Sequence, residues 1–479
     1  MRSDTPYFLS ALASALLLGA CAQIPDLGPR ASLPAAGAVA GGADLKGAAE
    51  AAWPSDPWWR RYGDPQLNAL MDEALRDAPS LKVAEARLKQ AAALVEQQGA
   101  SLRPETTATA GLNRERQSYN NGIPAAFVPQ GWNNYGQAAV QLSYDVDLWG
   151  RQRDSLAAAT SSWMASQADA AQARLSLASQ LATAYADFAR QFALEDTAKA
   201  AVETRQQTSR LMQEREAHGL ETRAAVRQAQ SRLAQAQGDL LSIQESLVLQ
   251  RHLMAALLGA GPARGDGLSR PVMDLSQVQG LPQQVELDLL GRRPDIVAAR
   301  LRAESAGRKI DVARTAFYPN INLSASFGFQ SLGLDMLTKS GSQAGSFGPA
   351  ISLPLFDQGR LTGQYKQAYG TYDEAVAQYR QTLSQALQEV ADVAASERAL
   401  EGRLAQAQAA SEAARDAWTL TRRRYEGGLS TYLDVLSAED SYLNQVKALT
   451  ELQARLMSLD VSLIKALGGG YQAAATQAG

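Results

Sequence analysis

Apolar and polar residues alternate along four stretches of the chain. Ile321, Leu323, Ala325, Phe327 and Phe329 are separated by Asn322, Ser324, Ser326 and Gly328. Val140, Leu142, Tyr144, Val146 and Leu148 alternate with Gln141, Ser143, Asp145 and Asp147, and Phe347, Ile351, Leu353 and Leu355 share one side of a third stretch. A period of two means an extended strand with one apolar and one polar face. Strands are expected at about 105–118, 136–148, 320–332 and 346–356, the first being Thr-rich and weaker. Roughly ten residues suffice to cross a bilayer when tilted. The alternation fits a half-buried sheet of a soluble domain as well as a membrane barrel with lipid outside and water inside.

Between the strands the period becomes helical. Long helices are expected over 152–218 and 361–426, with returning helices over 221–258 and 431–467. At about 1.5 Å per residue each long helix extends roughly 100 Å. Tyr365, Tyr372, Tyr379, Ala386, Val393 and Leu400 recur every seven residues, and Tyr369, Val376, Leu383 and Val390 fill a second seam. Leu156, Trp163, Ala170, Leu177 and Ala184 do the same in the other long helix. Sustained heptads mean coiled-coil packing. Gly219 and Gly428 punctuate the turns, where glycine tolerates the left-handed conformation that ends a helix.

The whole scheme occurs twice. Pro79 and Pro104 meet Pro294 and Pro319 at a shift of 215; Gly150-Arg151 and Gly219-Leu220 meet Gly359-Arg360 and Gly428-Leu429 at a shift of 209. Such a duplication implies a pseudo-symmetric structure, which suits a tube or ring better than an enzyme cleft. The halves are placed at 53–265 and 266–467, with a flexible tail over 468–479. Four strands cannot close a barrel in lipid, because open edges leave backbone groups unsatisfied at several kcal/mol each. If the strands are transmembrane, the protein is an oligomer, and three chains give twelve strands.

Charge is nearly balanced, 46 Lys+Arg against 49 Asp+Glu, which gives no reason to expect a nucleic-acid partner. The single cysteine, Cys21, follows the thirteen-residue apolar run Phe8–Ala20. That run is too short to span a bilayer but suits a signal-peptide core over residues 1–20. Leu18-Gly-Ala-Cys21 resembles the bacterial lipobox, which implies a covalent lipid on Cys21 and a membrane anchor. Residue 22 is Ala rather than Asp, which favours the outer membrane by the same resemblance. Residues 21–52, rich in Ala, Gly and Pro, read as a lipidated terminus with a flexible tether.

Several motifs together resemble the outer-membrane efflux protein family, the TolC-like factors, in its NodT-like lipoprotein branch. They are Trp58-Trp59 with Tyr62-Gly-Asp-Pro-Gln-Leu67, Tyr144-Asp-Val-Asp-Leu-Trp-Gly-Arg151, Arg292-Arg-Pro-Asp-Ile296, Ala313-Arg-Thr-Ala-Phe-Tyr-Pro319, Leu353-Pro-Leu-Phe-Asp-Gln-Gly-Arg360 and Gly428-Leu-Ser-Thr-Tyr-Leu-Asp-Val-Leu436. The resemblance implies an α+β membrane protein: a homotrimer with a twelve-stranded transmembrane β-barrel, four strands per chain, and a long periplasmic α-helical barrel. It implies an outer-membrane exit duct of a tripartite pump, docked on a periplasmic adaptor and an inner-membrane RND-type transporter. Two other readings are a duct for type I protein secretion and a structural periplasmic coiled-coil lipoprotein.

Carried over position by position, the resemblance places a periplasmic gate at Tyr425, Leu433, Asp434 and Ser437, next to the tip turns at Gly219 and Gly428. Tyr425 matches a tyrosine whose inter-helix bonds hold the end shut, Leu433 an apolar constriction and Asp434 an acidic lining position. Ser437 stands where the family often has a second aspartate. Three Asp434 carboxylates converging on an axis would repel one another, bind cations and take raised pKa values. Asp145 and Asp147 lie on the polar strand face and are expected to face a water-filled lumen, the alternative being an exposed end of the strand near the periplasm. His218 and His252 have no Cys or His neighbours at metal-ligand spacing, and no P-loop or nucleophile elbow occurs. No catalytic residue, metal or cofactor other than the lipid is therefore expected, and the chain reads as a non-enzyme.

Overall fold

A computed structural model describes residues 23–34, 51–120, 122, 124–273, 280–282 and 285–473. The expected signal peptide, Cys21, most of the tether and residues 474–479 lie outside them. The elements run α1 (Pro65–Asp77), α2 (Pro79–Ala100), β1 (Glu105–Glu115), β2 (Asn133–Asp145), α3 (Arg151–Ala217), α4 (Arg223–Leu257), α5 (Val285–Arg292), α6 (Pro294–Thr315), β3 (Asn320–Leu332), β4 (Gln343–Ser352), α7 (Gln358–Glu426) and α8 (Tyr432–Ala466). The fold is α+β. The two long helices have 67 and 69 residues and the returning helices 35 each, so the halves repeat almost residue for residue. No described helix is long and apolar enough to cross a membrane.

The chain divides into two compact units, and each draws on both sequence repeats. Of the described residues, the first holds those within 23–33, 88–166 and 299–379; the second holds those within 34–87, 167–298 and 380–473. The repeats are therefore not two separate bodies. Helices of this length carry each repeat through both units.

In the first unit the strands form one antiparallel sheet in the order β1-β2-β3-β4. Its register puts Val140 opposite Phe327, Ala325 opposite Phe347 and Ile321 opposite Ile351. The apolar positions of neighbouring strands thus lie on one face, as cross-strand pairing requires. Strand β2 begins earlier and ends earlier than the alternation suggested, at Asp145, because Asp147 turns the chain into α3. Its carboxylate accepts from the backbone N–H groups of Gln152 and Arg153 at 2.9 and 3.0 Å. These bonds satisfy donors that the first turn of a helix leaves open.

The terminal segment before residue 34 is not free tether throughout. Ile24 and Leu27 pack on a cluster of Ile310, Phe317, Leu361 and Tyr365. Arg30 is ion-paired to Asp311 at 2.5 Å, and the Tyr372 hydroxyl donates to the Ala31 carbonyl at 2.8 Å. Tyr365 and Tyr372, read from sequence as a coiled-coil seam, instead hold this segment against α6 and α7. The apolar side chains of the segment, spaced three apart, carry it there.

The second unit is built around Trp58, Trp59, Tyr62, Leu67, Met71, Leu181, Tyr185, Phe188, Met254, Met457 and Ile464. Asp64 caps α1, accepting from Gln66 and Leu67, and its other carboxylate oxygen accepts from the Tyr185 hydroxyl at 2.7 Å. Gly468, Gly469 and Gly470 are part of this body rather than of a frayed tail. All three have positive φ, and a Cβ there would collide with the Arg292 carbonyl, the Leu175 side chain or the Asp56 backbone.

Candidate functional site

Two features stand out among the described residues: one face of the sheet is exposed, and the helical hairpins end in two matching turns.

The apolar face of the sheet is exposed. Phe347 is 89% exposed, Ile351 69% and Phe327 63%. A run of large apolar side chains this open marks a surface that water does not cover. The opposite face carries Gln141, Ser143, Asn322, Ser324, Ser326 and Ser346. The Ser326 and Ser346 hydroxyls are 2.8 Å apart, and Ser143 lies 3.2 Å from the Asn322 side chain. Strands β1 and β4 are the edges, each paired on one side only. Asp145 and Asp147 sit at the end of β2, where Asp145 pairs with Arg151 at 2.7 Å and Asp147 with Arg153 at 3.1 Å. Both carboxylates are held in ion pairs and are largely buried rather than exposed.

At the other site the duplication builds the same turn twice. The Leu220 N–H donates to the Arg215 carbonyl at 2.8 Å and that of Gly219 to Glu216 at 2.9 Å; Leu429 donates to Arg424 at 2.7 Å and Gly428 to Tyr425 at 3.0 Å. Each is a Schellman ending, with Gly219 at φ 70° and Gly428 at φ 73°. Thr222 and Thr431 then cap α4 and α8.

The copies differ three residues into the second helix, where Ala225 in one is Asp434 in the other. Asp434 completes a capping box. Its carboxylate accepts from the Thr431 N–H and hydroxyl, both at 2.8 Å, while Thr431 Oγ1 accepts from the Asp434 N–H at 3.3 Å. These bonds, helped by Arg424, hold the Asp434 carboxyl below the usual carboxylate range. Within one chain the direction is thus opposite to that expected for converging carboxylates, because the cap satisfies the charged form. Leu433, Asp434 and Ser437 are all exposed and share one face of α8, while Tyr432, Val435 and Leu436 point into a cluster with Met212, Val226 and Tyr425.

Tyr425 is buried in that cluster. Its hydroxyl donates to Glu221 at 2.5 Å, and the Arg215 guanidinium lies 4.5 Å from its ring centroid. Burial first, and then Glu221, push its pKa well above the ordinary tyrosine value. The bond ties the end of α7 to the turn between α3 and α4. Sequence reasoning found Tyr425 but missed Glu221 and Arg215. It also missed Arg205, which is ion-paired to the fully buried Glu439 at 2.7 Å and to Asp440, with Arg232 3.3 Å from Asp440. Charged residues in a seam otherwise rich in Ala and Leu were the available signal.

An edge-open sheet with a lipid-like face, combined with duplicated long helical hairpins, defines a class of membrane-duct subunit. The profile of the family described as outer membrane efflux protein matches residues 70–260 and 287–469, and the chain belongs to that family. It is 36% identical over 363 residues to the fusaric acid resistance protein FusA of Burkholderia cepacia, covering 74% of this chain and 68% of FusA. It is 30% identical over 433 residues to the multidrug resistance outer membrane protein MdtP of Escherichia coli, covering 89% of this chain and 88% of MdtP. Among solved structures, the outer membrane protein VceC of Vibrio cholerae is 45% identical, with a TM-score of 0.83 over 88% of this chain and all of VceC. The CmeC outer membrane channel of Campylobacter jejuni is 26% identical, with a TM-score of 0.85 over 94% of this chain and 96% of CmeC.

Proposed function

We propose that this chain is the outer-membrane duct of a tripartite efflux pump, a passive exit for drugs and other small molecules. The exposed apolar face of the edge-open sheet carries the reading. Alone in lipid, that sheet leaves both edges unsatisfied, so three copies joined β4 to β1 make a twelve-stranded wall around a polar lumen. The Ser, Asn and Gln face is the water-facing side. A lipid on Cys21 anchors each copy to the membrane. A periplasmic adaptor and an inner-membrane RND-type transporter supply contact and energy. The resistance proteins among its relatives support small-molecule cargo.

In this reading the duplicated turns form the periplasmic gate. The Tyr425–Glu221 bond keeps the hairpins together, and Leu433, Asp434 and Ser437 face the opening. A few polar bonds suit a gate that a partner must break, since a partner shifts the equilibrium only by its differential affinity for the two states. Deleting the gene and measuring susceptibility to a broad compound panel, with Cys21→Ser as a second strain, tests the role. Increased susceptibility in the deletion is the expected result; unchanged susceptibility across the panel overturns it.

A further inference from the structure

Apart from the gate, the second unit holds a carboxylate that nothing above uses. Glu397 lies on α7, and its Oε1 is buried without a hydrogen-bond partner among the described residues. It lines a cavity of about 200 Å³ whose other walls are Leu400 of α7 and Leu456 and Leu459 of α8. Asp460 of α8, 3% exposed, follows the cavity wall residue Leu459 directly in sequence. Asp460 is ion-paired to Arg61, and the Tyr62 hydroxyl donates to it at 2.5 Å. Arg61 is thus paired with Asp460, while the Glu397 Oε1 has no hydrogen-bond partner among the described residues. The remaining carboxylate faces leucines and a like charge.

A buried carboxyl so placed favours its neutral form, because desolvation and a neighbouring negative charge both oppose ionisation. Burial, and then Asp460, push Glu397 up to about 7, with Arg61 opposing. Its charge thus changes within the range a periplasm experiences.

We propose that Glu397, with Asp460 and Arg61, forms a proton-operated latch between α7 and α8. With Glu397 neutral, its carboxyl sits among Leu400, Leu456 and Leu459 and the two helices stay packed. Ionisation places a negative charge among the leucines and within the influence of Asp460, and the contact between α7 and α8 loosens. These two helices meet at the turn that carries Tyr425 and Asp434. Glu397 lies 28 residues before Tyr425 on one continuous helix. The latch therefore acts on the element that carries the gate, and its link to gating rests on the reading above, whereas its titration does not.

The sign follows from the raised value. Stability from the neutral carboxyl is complete below the unfolded-state pKa and is lost as pH rises through about 7. The full-length protein, purified in detergent, is compared with Glu397→Gln and Asp460→Asn between pH 5.5 and 8.5. Infrared difference spectra read the protonated carboxyl band, and thermal melts read stability. The wild type is expected to lose a buried-carboxyl band as pH passes about 7, and to melt at progressively lower temperature up to that pH and level off above it. Glu397→Gln should lack both changes, and Asp460→Asn should move the band loss to lower pH. The proposal is overturned if Glu397→Gln keeps the same pH-dependent band, or if the Asp460→Asn transition does not move. Single-channel records over the same range then separate the two claims: a titrating latch without a conductance change removes the link to the gate and leaves the duct intact.

Discussion

The Tyr425 hydroxyl donates to the Glu221 carboxylate at 2.5 Å, joining the last turn of one long helix to the loop of the other hairpin. This bond lies where the two repeats build matching turns. Position 221 corresponds to Ser430 in the second repeat and position 425 to Glu216 in the first. The contact between the turns therefore joins two positions at which the repeats differ.

Tyr425→Phe removes the bond while keeping the ring under Arg215. A hydrogen bond to a charged acceptor contributes about 1.5–3 kcal/mol. The variant is expected to hold its hairpins together less firmly, seen as more frequent or larger openings in planar bilayers. Glu221→Gln should do the same more weakly. Traces identical to wild type would remove this pair from the closing contacts.

Asp434 has two roles that one substitution pair separates. Its carboxylate closes the cap of α8 and, in the proposed trimer, lines the opening. Asp434→Asn removes the charge and keeps a side chain able to hydrogen-bond, so cation selectivity should fall with little loss of helix order. Thr431→Ala removes the cap partner, at about 1 kcal/mol, and should leave selectivity. Because the Asp434 carboxyl is held low, its contribution is present above the ordinary carboxylate range and is lost only as pH falls through the lowered value. Reversal potentials measured under a salt gradient check the first claim.

Gly219 and Gly428 have positive φ and open space around a built Cβ. Gly428→Ala should therefore cost about 1–2 kcal/mol from backbone conformation alone, with no steric part. A lower melting temperature with unchanged trimer yield is expected. If the Gly219→Ala and Gly428→Ala costs differ widely, the two turns are not equivalent in the assembled protein.

Adjacent positions at the middle of β3 face opposite ways. Phe327→Lys puts a charge on the lipid side, which costs about 2–4 kcal/mol near a bilayer midplane. Ser326→Lys puts the same charge on the polar side and should be tolerated while shifting ion selectivity toward anions. The yield of heat-modifiable oligomer in membranes checks both. Equal yields would mean that the two faces of the sheet are not lipid and water.

The sheet and long helices were legible because their periods are strict and long. The ends were less so. Val146 and Leu148 continue the alternation past Asp145, yet Asp147 caps α3, and a cap is a single-residue event that periodicity cannot register. Tyr365 and Tyr372 sit at true heptad positions, but what fills the seam is a terminal segment read as tether, since composition alone shows no apolar anchor in Ile24 and Leu27. Gly468–Gly470 looked like fraying because a close approach leaves the same residue as disorder. At the hairpin turns, Tyr425, Leu433 and Asp434 came from resemblance. Glu221 lay hidden because its partner is 204 positions away.

The central claim is that copies of this chain complete one wall around a wet axis. Native mass spectrometry of the full-length protein extracted from outer membranes in mild detergent tests it most directly. A particle of three chains is expected. A single chain, stable and water-soluble after the detergent is removed, would contradict it.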